Sequence, residues 1–238
     1  MARKKRFNLI GIPQHVIQRG NNREPCFYQR DDYSRYLNIL EKTAVKFDCK
    51  IHAYVLMTNH VHLLVTPMDE HSVSEMMQSL GSQYVRFFNK KHNRTGSLWE
   101  GRFKSSLVDS DAYLFTCMRY IELNPVRANM VKHPAEYPWS SYAVNAQGIK
   151  NAVKEKHPVY LSLNSNEKLR LKSYRDLFKQ HIDEDVIDDI RSSLNHELVL
   201  GRSYFKDRID EITLRQTRKG KVGRPKVEDE RGVYIVNY

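Results

Sequence analysis

Two histidines, His60 and His62, form the first group in the chain that is suited to chemistry. They stand in the run Asn-His-Val-His-Leu-Leu-Val (59–65), whose apolar and β-branched content predicts a strand. Side chains two residues apart in a strand project from the same face, so the two imidazoles would lie about 7 Å apart. Such a pair can hold a metal ion. Surface histidines and hydrogen-bonded core histidines show the same spacing, so both interpretations stay open at this point.

A tyrosine and an asparagine downstream form the second group. The run Tyr-Ile-Glu-Leu-Asn (120–124) has helical character, which places Tyr120 and Asn124 one turn apart on one side of a helix. Two imidazoles and the amide oxygen of Asn124 would make a mixed nitrogen and oxygen ligand set without a thiolate. Such a set favours Mg²⁺ or Mn²⁺ over structural zinc. Tyrosine is a weak nucleophile at neutral pH, but its hydroxyl can attack a phosphate that a metal polarises. The alternative is a buried aromatic residue, because the chain has 14 tyrosines.

Composition narrows the class of protein. The chain has 238 residues, a formal net charge of +11 and a pI near 9.5. A basic domain favours polyanionic partners, since neutralising phosphates releases counterions, although a generic basic surface would have the same charge. No apolar run approaches the roughly 20 residues that a membrane span needs. The three cysteines lack CxxC spacing, which argues against a disulfide framework and favours a reducing cytoplasm.

The elements that must position these groups follow a recognisable order. Strand, helix, strand, strand, helix and strand match the split βαβ, or ferredoxin-like, arrangement of an α+β protein, with helices packed on an antiparallel sheet. A further helix then carries Tyr120. Its apolar band would anchor it on the sheet, while an adjoining polar stripe would face a cleft. The predicted strands are 13–19, 51–57, 60–66 and the segment ending at 108, and the predicted stripe is Tyr113, Cys117, Tyr120 and Asn124.

The composition changes after residue 145. We predict a catalytic domain at 1–145, a linker at 146–165, a small helical accessory module at 166–214 and a basic tail at 215–238. The tail contains Gly-Arg-Pro-Lys (223–226), an extended motif that can lie in an AT-rich minor groove with Arg224 inserted. A disordered basic tail is the alternative interpretation.

Several motifs in fixed order resemble a known family. They are Met-Thr-Asn-His-Val-His-Leu-Leu-Val (57–65), Leu-Trp-Glu-Gly-Arg-Phe-Lys (98–104) and Arg-Tyr-Ile-Glu-Leu-Asn-Pro-Val-Arg-Ala (119–128). Together they resemble the REP-associated tyrosine transposases, which are single-tyrosine relatives of the HUH nucleases. The likeness begins near residue 11 and extends to residue 142, which is more than half of the chain.

The resemblance implies specific roles. Tyr120 would be the catalytic tyrosine, His60 and His62 would bind the metal, and Asn124 would complete the metal site; related transposases can have glutamine at that last position. The substrate would be single-stranded DNA with an adjacent hairpin, cut to give a 5′-phosphotyrosine and a free 3′-OH. Backbone contacts position such a strand. The candidate contacts are Arg19, Arg23, Arg102, Lys104 and Arg127.

Two other functions fit the same residues. One is a non-catalytic nucleic-acid-binding protein that uses the sheet and the basic tail. The other is a hydrolytic metalloenzyme in which the histidines hold a reactive water and Tyr120 is structural. The sequence leaves open the target bases, the physiological metal, a monomer or a homodimer, and whether Tyr120 serves its own active site or a neighbour's.

Overall fold

The computed structural model describes residues 6–7, 9–153 and 155–220. Arg224 and the Gly-Arg-Pro-Lys motif around it lie outside the described residues. Its minor-groove role therefore stays a prediction.

One mixed sheet organises the described chain. Its strands are β1 (Gln14–Arg19), β2 (Cys49–Met57), β3 (His60–Pro67), β4 (Lys104–Val108) and β5 (Val199–Leu200). Their order is β2-β3-β1-β4-β5, with antiparallel pairing except between β4 and β5, which are parallel. The first four strands confirm the predicted ferredoxin-like arrangement. The two-residue β5 was not predicted, because so short a segment has no periodic signal.

Successive residues of β3 face two different layers. Val61, Leu63 and Val65 belong to one apolar cluster, whereas Leu64 belongs to another on the opposite face. This division follows from the two-residue period of a strand. Both faces are buried, as the apolar content of the strand predicted.

The first face of the sheet is covered by α1 (Arg30–Lys46) and α2 (Ser72–Lys91). Aromatic side chains dominate this layer, among them Tyr36, Tyr84 and Phe88, which are fully buried. Burial of each large apolar side chain contributes roughly 1.5–3 kcal/mol relative to exposure. This layer therefore supplies much of the stability that holds the sheet in place.

A buried carboxylate joins the start of α1 to the end of α2. Asp32 accepts hydrogen bonds from the backbone N–H groups of Tyr28 and Gln29 at 2.8 and 2.9 Å. It also contacts Lys91 Nζ and His92 Nε2, each at 3.0 Å. Burial alone would raise the pKa of Asp32, but the hydrogen bonds, led by the one from His92, outweigh it and hold the pKa below its usual value.

The second face is covered by α3 (Ser110–Glu122) and by helices that follow it. None of the helices in the described part of the chain has the length and apolar content to span a membrane. The helices that follow α3 on this face are α4 (Asn124–Arg127), α5 (Tyr142–Gln147), α6 (Pro158–Leu161), α7 (Glu167–Asp176) and α8 (Glu184–His196). The last helix of the described residues, α9 (Ser203–Thr213), packs through Ile209 in a third apolar cluster with Leu107 of β4.

Residues from the predicted linker and accessory module bury side chains against this second face. Tyr160, Tyr174 and Ile190 are 0% exposed and share one apolar cluster with Leu64 of β3. The linker segment is therefore partly buried and partly helical. The division into separate units remains a prediction.

Candidate active site

His60 and His62 lie side by side on the second face of the sheet. Their ring centroids are 5.1 Å apart, and His62 is 2% exposed. His60 Nδ1 lies 2.7 Å from Asn59 Oδ1, while Asn59 Nδ2 donates to the carbonyl oxygen of Arg23 at 2.9 Å. The turn before β3 thus fixes the orientation of His60. The hydrogen bonds that His60 and His62 make within the described residues use Nδ1, which leaves Nε2 of each ring for a ligand.

A third histidine lies behind this pair. His15 of β1 is 0% exposed, and its Nε2 is 2.8 Å from His62 Nδ1. Its Nδ1 is buried without a partner among the residues that the structure describes. Sequence reasoning missed His15, although the alternation of His15, Ile17 and Arg19 in β1 is a signal that could have placed its side chain on the histidine face.

The environment keeps these imidazoles neutral at physiological pH. Burial lowers the pKa of His15 to about 3, and the positive charge of Arg127 adds to the effect. Burial and then Arg19 lower the pKa of His60 to about 4. Burial followed by His15 lowers the pKa of His62 well below its usual value. A neutral imidazole has the free lone pair that metal binding requires.

Tyr120 of α3 lies beside the histidines. Its ring centroid is 5.9 Å from that of His62 and 5.7 Å from that of His15, and both contacts are edge-to-face. The side chain is 6% exposed. The structure therefore brings the phenol of Tyr120 beside two imidazoles that stand 58 and 105 positions earlier in the sequence.

Asn124 follows α3 and begins α4. Its Nδ2 donates to the carbonyl oxygens of Tyr120 at 3.0 Å and of Ile121 at 3.3 Å, which caps the end of α3. This hydrogen bonding uses the amide nitrogen and leaves Oδ1 as an acceptor. Asn124 is thus oriented by the same helix that carries Tyr120.

By chemical type, these donors would suit a divalent cation of the kind predicted. In the described ranges, no three His, Cys, Asp or Glu side chains form a metal-binding cluster. Two imidazole nitrogens and one amide oxygen would leave positions open for water or phosphate, as Mg²⁺ and Mn²⁺ sites commonly do. The hydrogen bond between His15 and His62 resembles the outer-shell contact that usually orients a metal-ligating histidine.

Arg127 is the predicted DNA contact nearest to Tyr120. Its guanidinium lies over the phenol ring at 4.2 Å from the centroid, and Nη2 donates to the backbone oxygen of Tyr120 at 2.5 Å. Nη1 is buried and has no partner in the described part of the chain. Burial is the main reason that the pKa of Arg127 is lowered. A buried guanidinium with an unused donor is suited to an anionic ligand.

Three more predicted contacts line one cavity of about 190 Å³. Arg19, Arg102 and Lys104 lie there together with one acidic residue, Glu100, and with Asn195 of α8. Arg19 is also paired with His60 across β1 and β3, so this basic cavity adjoins the histidines. Arg23 lies apart from it, in the exposed turn after β1.

A buried carboxylate, Glu122, holds α3 to the helices that follow. It is 0% exposed and accepts hydrogen bonds from Ser141 at 2.6 Å, Asn145 at 2.7 Å and Tyr174 at 2.9 Å. These partners come from α7, α5 and the residue that precedes α5. Sequence reasoning missed Glu122, because its spacing from Tyr120 places it on the opposite side of α3.

Comparison with known proteins shows what this chain resembles. Residues 9–124 match the family model described as "Transposase IS200 like". Over that region, just under half of its length, the chain is similar to the IS200-like transposases.

Two individual proteins are similar to this chain, one in sequence and one in fold. A putative REP-associated tyrosine transposase of Haemophilus influenzae strain Rd is 25% identical over 125 residues, which cover 48% of this chain and 71% of that protein. A REP-associated tyrosine transposase solved with a REP hairpin has the same fold. Its TM-score is 0.53 at 19% identity, and the match covers 66% of this chain and 93% of that one. The predicted resemblance and the predicted fold class are thereby confirmed.

Proposed function

We propose that this protein cleaves and rejoins single-stranded DNA near hairpin repeat elements, through a 5′-phosphotyrosine at Tyr120. One observation carries the proposal: a nearly buried tyrosine lies edge-on to neutral His15 and His62, and a guanidinium covers its ring. A tyrosine that is buried only for packing would not require two imidazoles and a guanidinium around its ring. The likeness to a relative bound to a REP hairpin supports a hairpin substrate.

The proposed chemistry exchanges one phosphate ester for another. The phenol oxygen of Tyr120 forms a bond to phosphorus, and the bond from phosphorus to the 3′-oxygen breaks. The phenol loses its proton and the 3′-oxygen gains one, which leaves a free 3′-OH. Because the phosphotyrosine keeps the ester bond, a second DNA 3′-OH can reverse the step and join a new strand without ATP.

Two histidines and one amide would hold the metal. His60 and His62 would use their Nε2 atoms, and Asn124 would use Oδ1. When bound, Mg²⁺ or Mn²⁺ polarises the phosphate and stabilises charge that develops on its oxygens. His15 would accept the Nδ1–H of His62 and so keep the His62 Nε2 lone pair directed at the site.

The basic residues would bind the DNA backbone. Arg127 would contact the phosphate that Tyr120 attacks, while Arg19, Arg102 and Lys104 would hold neighbouring phosphates in their shared cavity. Arg23 would contact the strand at the outer turn. A nucleoid-associated location in the cytoplasm is the prediction that accompanies such a substrate.

Covalent trapping tests the proposal. A labelled hairpin oligonucleotide with single-stranded flanks, incubated with the full chain and Mg²⁺ or Mn²⁺, should give an adduct that resists denaturant. Tyr120→Phe should abolish the adduct but retain DNA binding. Tyr204→Phe is the matched control, since Tyr204 is 73% exposed on α9 and should leave the adduct unchanged.

Other outcomes select the other functions. Binding without any cleavage in either metal would indicate a non-catalytic nucleic-acid-binding protein. Cleavage without a covalent adduct would indicate a hydrolytic metalloenzyme. An adduct that persists in Tyr120→Phe would assign the nucleophile to another residue.

A further inference from the structure

Helix α8 lies outside the region that matches the IS200-like family, yet it packs against the candidate site. Ile187 and Ile190 on one side of α8 enter the apolar cluster that contains Tyr120. The helix contacts β1 and β4, the strands that carry His15 and Lys104. Its apolar side is therefore fixed on the second face of the sheet, and its other residues are available to line a cleft.

The polar side of α8 borders two cavities next to Tyr120. Asn195 lines the cavity of Arg102 and Lys104, and its carbonyl oxygen accepts a hydrogen bond from Lys104 Nζ at 3.4 Å. Three turns before it, Glu184 lines a second cavity of about 330 Å³ together with Arg127. Arg191 is one turn before Asn195 on the same side, which places it between the two cavities.

Arg191 lies on the side of α8 that faces the two cavities, beside the residues that pack in the apolar cluster of Tyr120. Its side chain is 50% exposed and forms an ion pair with Asp188 at 3.2 Å, and burial, Asp188 and Tyr120 are among the influences on its pKa. Arg127 lies over the ring of the same tyrosine. Two guanidinium groups from different parts of the chain thus lie near one tyrosine side chain. The exposed pair with Asp188 is weak, so releasing Arg191 to another anion costs little.

We propose that Arg191 and Arg127 form a phosphate clamp at Tyr120, so that α8 is part of the DNA-binding surface. The ligand is the scissile phosphodiester, whose two non-bridging oxygens can each accept from one guanidinium. Planar guanidinium donors match that geometry, and charge-assisted hydrogen bonds of this type are the strong ones. The catalytic effect of the clamp rests on the proposed function. The phosphate contact is independent of that function, because a non-catalytic DNA-binding protein would use the same two arginines.

The first experiment measures the rate of adduct formation at saturating hairpin DNA with Mn²⁺. Arg191→Ala should slow it by roughly 100-fold, as expected when one donor to developing charge is removed. Arg191→Lys should recover part of the rate, since lysine keeps the charge but loses the fork geometry. Arg86→Ala is the charge-matched control, an exposed arginine on α2 at the opposite face, and should leave the rate unchanged.

The second experiment separates the clamp from the proposed cleavage. In the Tyr120→Phe background, binding to the same DNA is measured against salt concentration. Arg191→Ala should lose one phosphate contact, which reduces the slope of log affinity against log salt by about 0.7. Arg86→Ala should leave the slope unchanged. Thermal unfolding of each variant confirms that α8 remains folded.

Failure of the proposed cleavage and failure of the clamp give different results in these two experiments. A wild-type chain that forms no adduct overturns the proposed cleavage, and a reduced slope in Arg191→Ala then still supports the phosphate contact. If Arg191→Ala matches Arg86→Ala in both rate and slope, the clamp is wrong even where Tyr120 forms the adduct.

Discussion

The two faces of the sheet differ in what they bury. The face under α1 and α2 buries mainly apolar and aromatic side chains, with Tyr36, Tyr84 and Phe88 at its centre. The face under α3 also buries imidazoles and a carboxylate, including His15, His62 and Glu122. Burying a polar group is costly unless it is hydrogen-bonded. The apolar face can therefore supply stability, while the polar face holds groups that are unfavourable in a core but suited to chemistry.

The largest expected difference comes from two adjacent residues of β3. His62→Ala should slow adduct formation at least about 1,000-fold, because losing the proposed metal ligand would remove several kcal/mol of transition-state stabilisation. Leu63→Ala, on the opposite face, should instead lower the free energy of unfolding by about 2–5 kcal/mol. Adduct kinetics and denaturant unfolding measure the two effects. If both variants changed the adduct rate and the free energy of unfolding equally, the proposed difference between a stabilising face and a catalytic face would be wrong.

The next effect concerns the carboxylate that holds α3 in place. Glu122→Ala should lower the free energy of unfolding by about 3–4 kcal/mol, since it leaves buried donors of Ser141, Asn145 and Tyr174 without an acceptor. Urea denaturation measures the loss. Glu75→Ala, at an exposed position of α2, serves as the control and should change stability by less than about 0.5 kcal/mol. A loss below about 1 kcal/mol for Glu122→Ala would show that the polar network is dispensable.

A smaller effect is expected at Asp32, the buried carboxylate on the otherwise apolar face under α1 and α2. Asp32→Asn should cost about 1–3 kcal/mol at pH 7, because it removes the charge that Lys91 and His92 contact. The folded state holds the pKa of Asp32 below its ordinary value of 3.8. Its contribution is therefore complete above that value and disappears as the pH falls through the lower, folded-state pKa.

The measurement for Asp32 is the free energy of unfolding of variant and wild type between pH 7 and pH 2. Their difference should shrink below about pH 3.8 as the wild-type carboxylate is protonated. Asp31→Asn is the control, since the Asp31 side chain is 83% exposed. A difference between Asp32→Asn and wild type that does not depend on pH would refute the assignment.

The smallest effect concerns the basic cavity beside the site. Lys104→Ala should weaken binding of single-stranded DNA only a few-fold and reduce its salt slope by about 0.7. Lys42→Ala, on an exposed position of α1, should change neither quantity. Fluorescence anisotropy at several salt concentrations measures both. Equal slopes for the two variants would move the DNA path away from β4.

Much of the fold followed from local patterns. The alternation in β1 and β3 and the helical spacing of α1, α2 and α3 were sufficient to predict a ferredoxin-like sheet with a further helix. The strand period also placed His60 and His62 on one face. These features depend on backbone geometry over a few residues, which is why one sequence can reveal them. The roles of Tyr120, His60, His62 and Asn124 remain proposals that the geometry supports.

The tertiary structure decided what surrounds those residues. His15 reaches His62 only because β1 pairs with β3, and α8 lies beside the apolar cluster of Tyr120 only because it packs on the sheet. The partners of Glu122 come from segments 19 to 52 residues away. Contacts between distant segments leave no periodic trace in the sequence, since they depend on how whole elements pack. The sequence by itself therefore determined which residue types were available and how they face locally, and packing determined which of them meet.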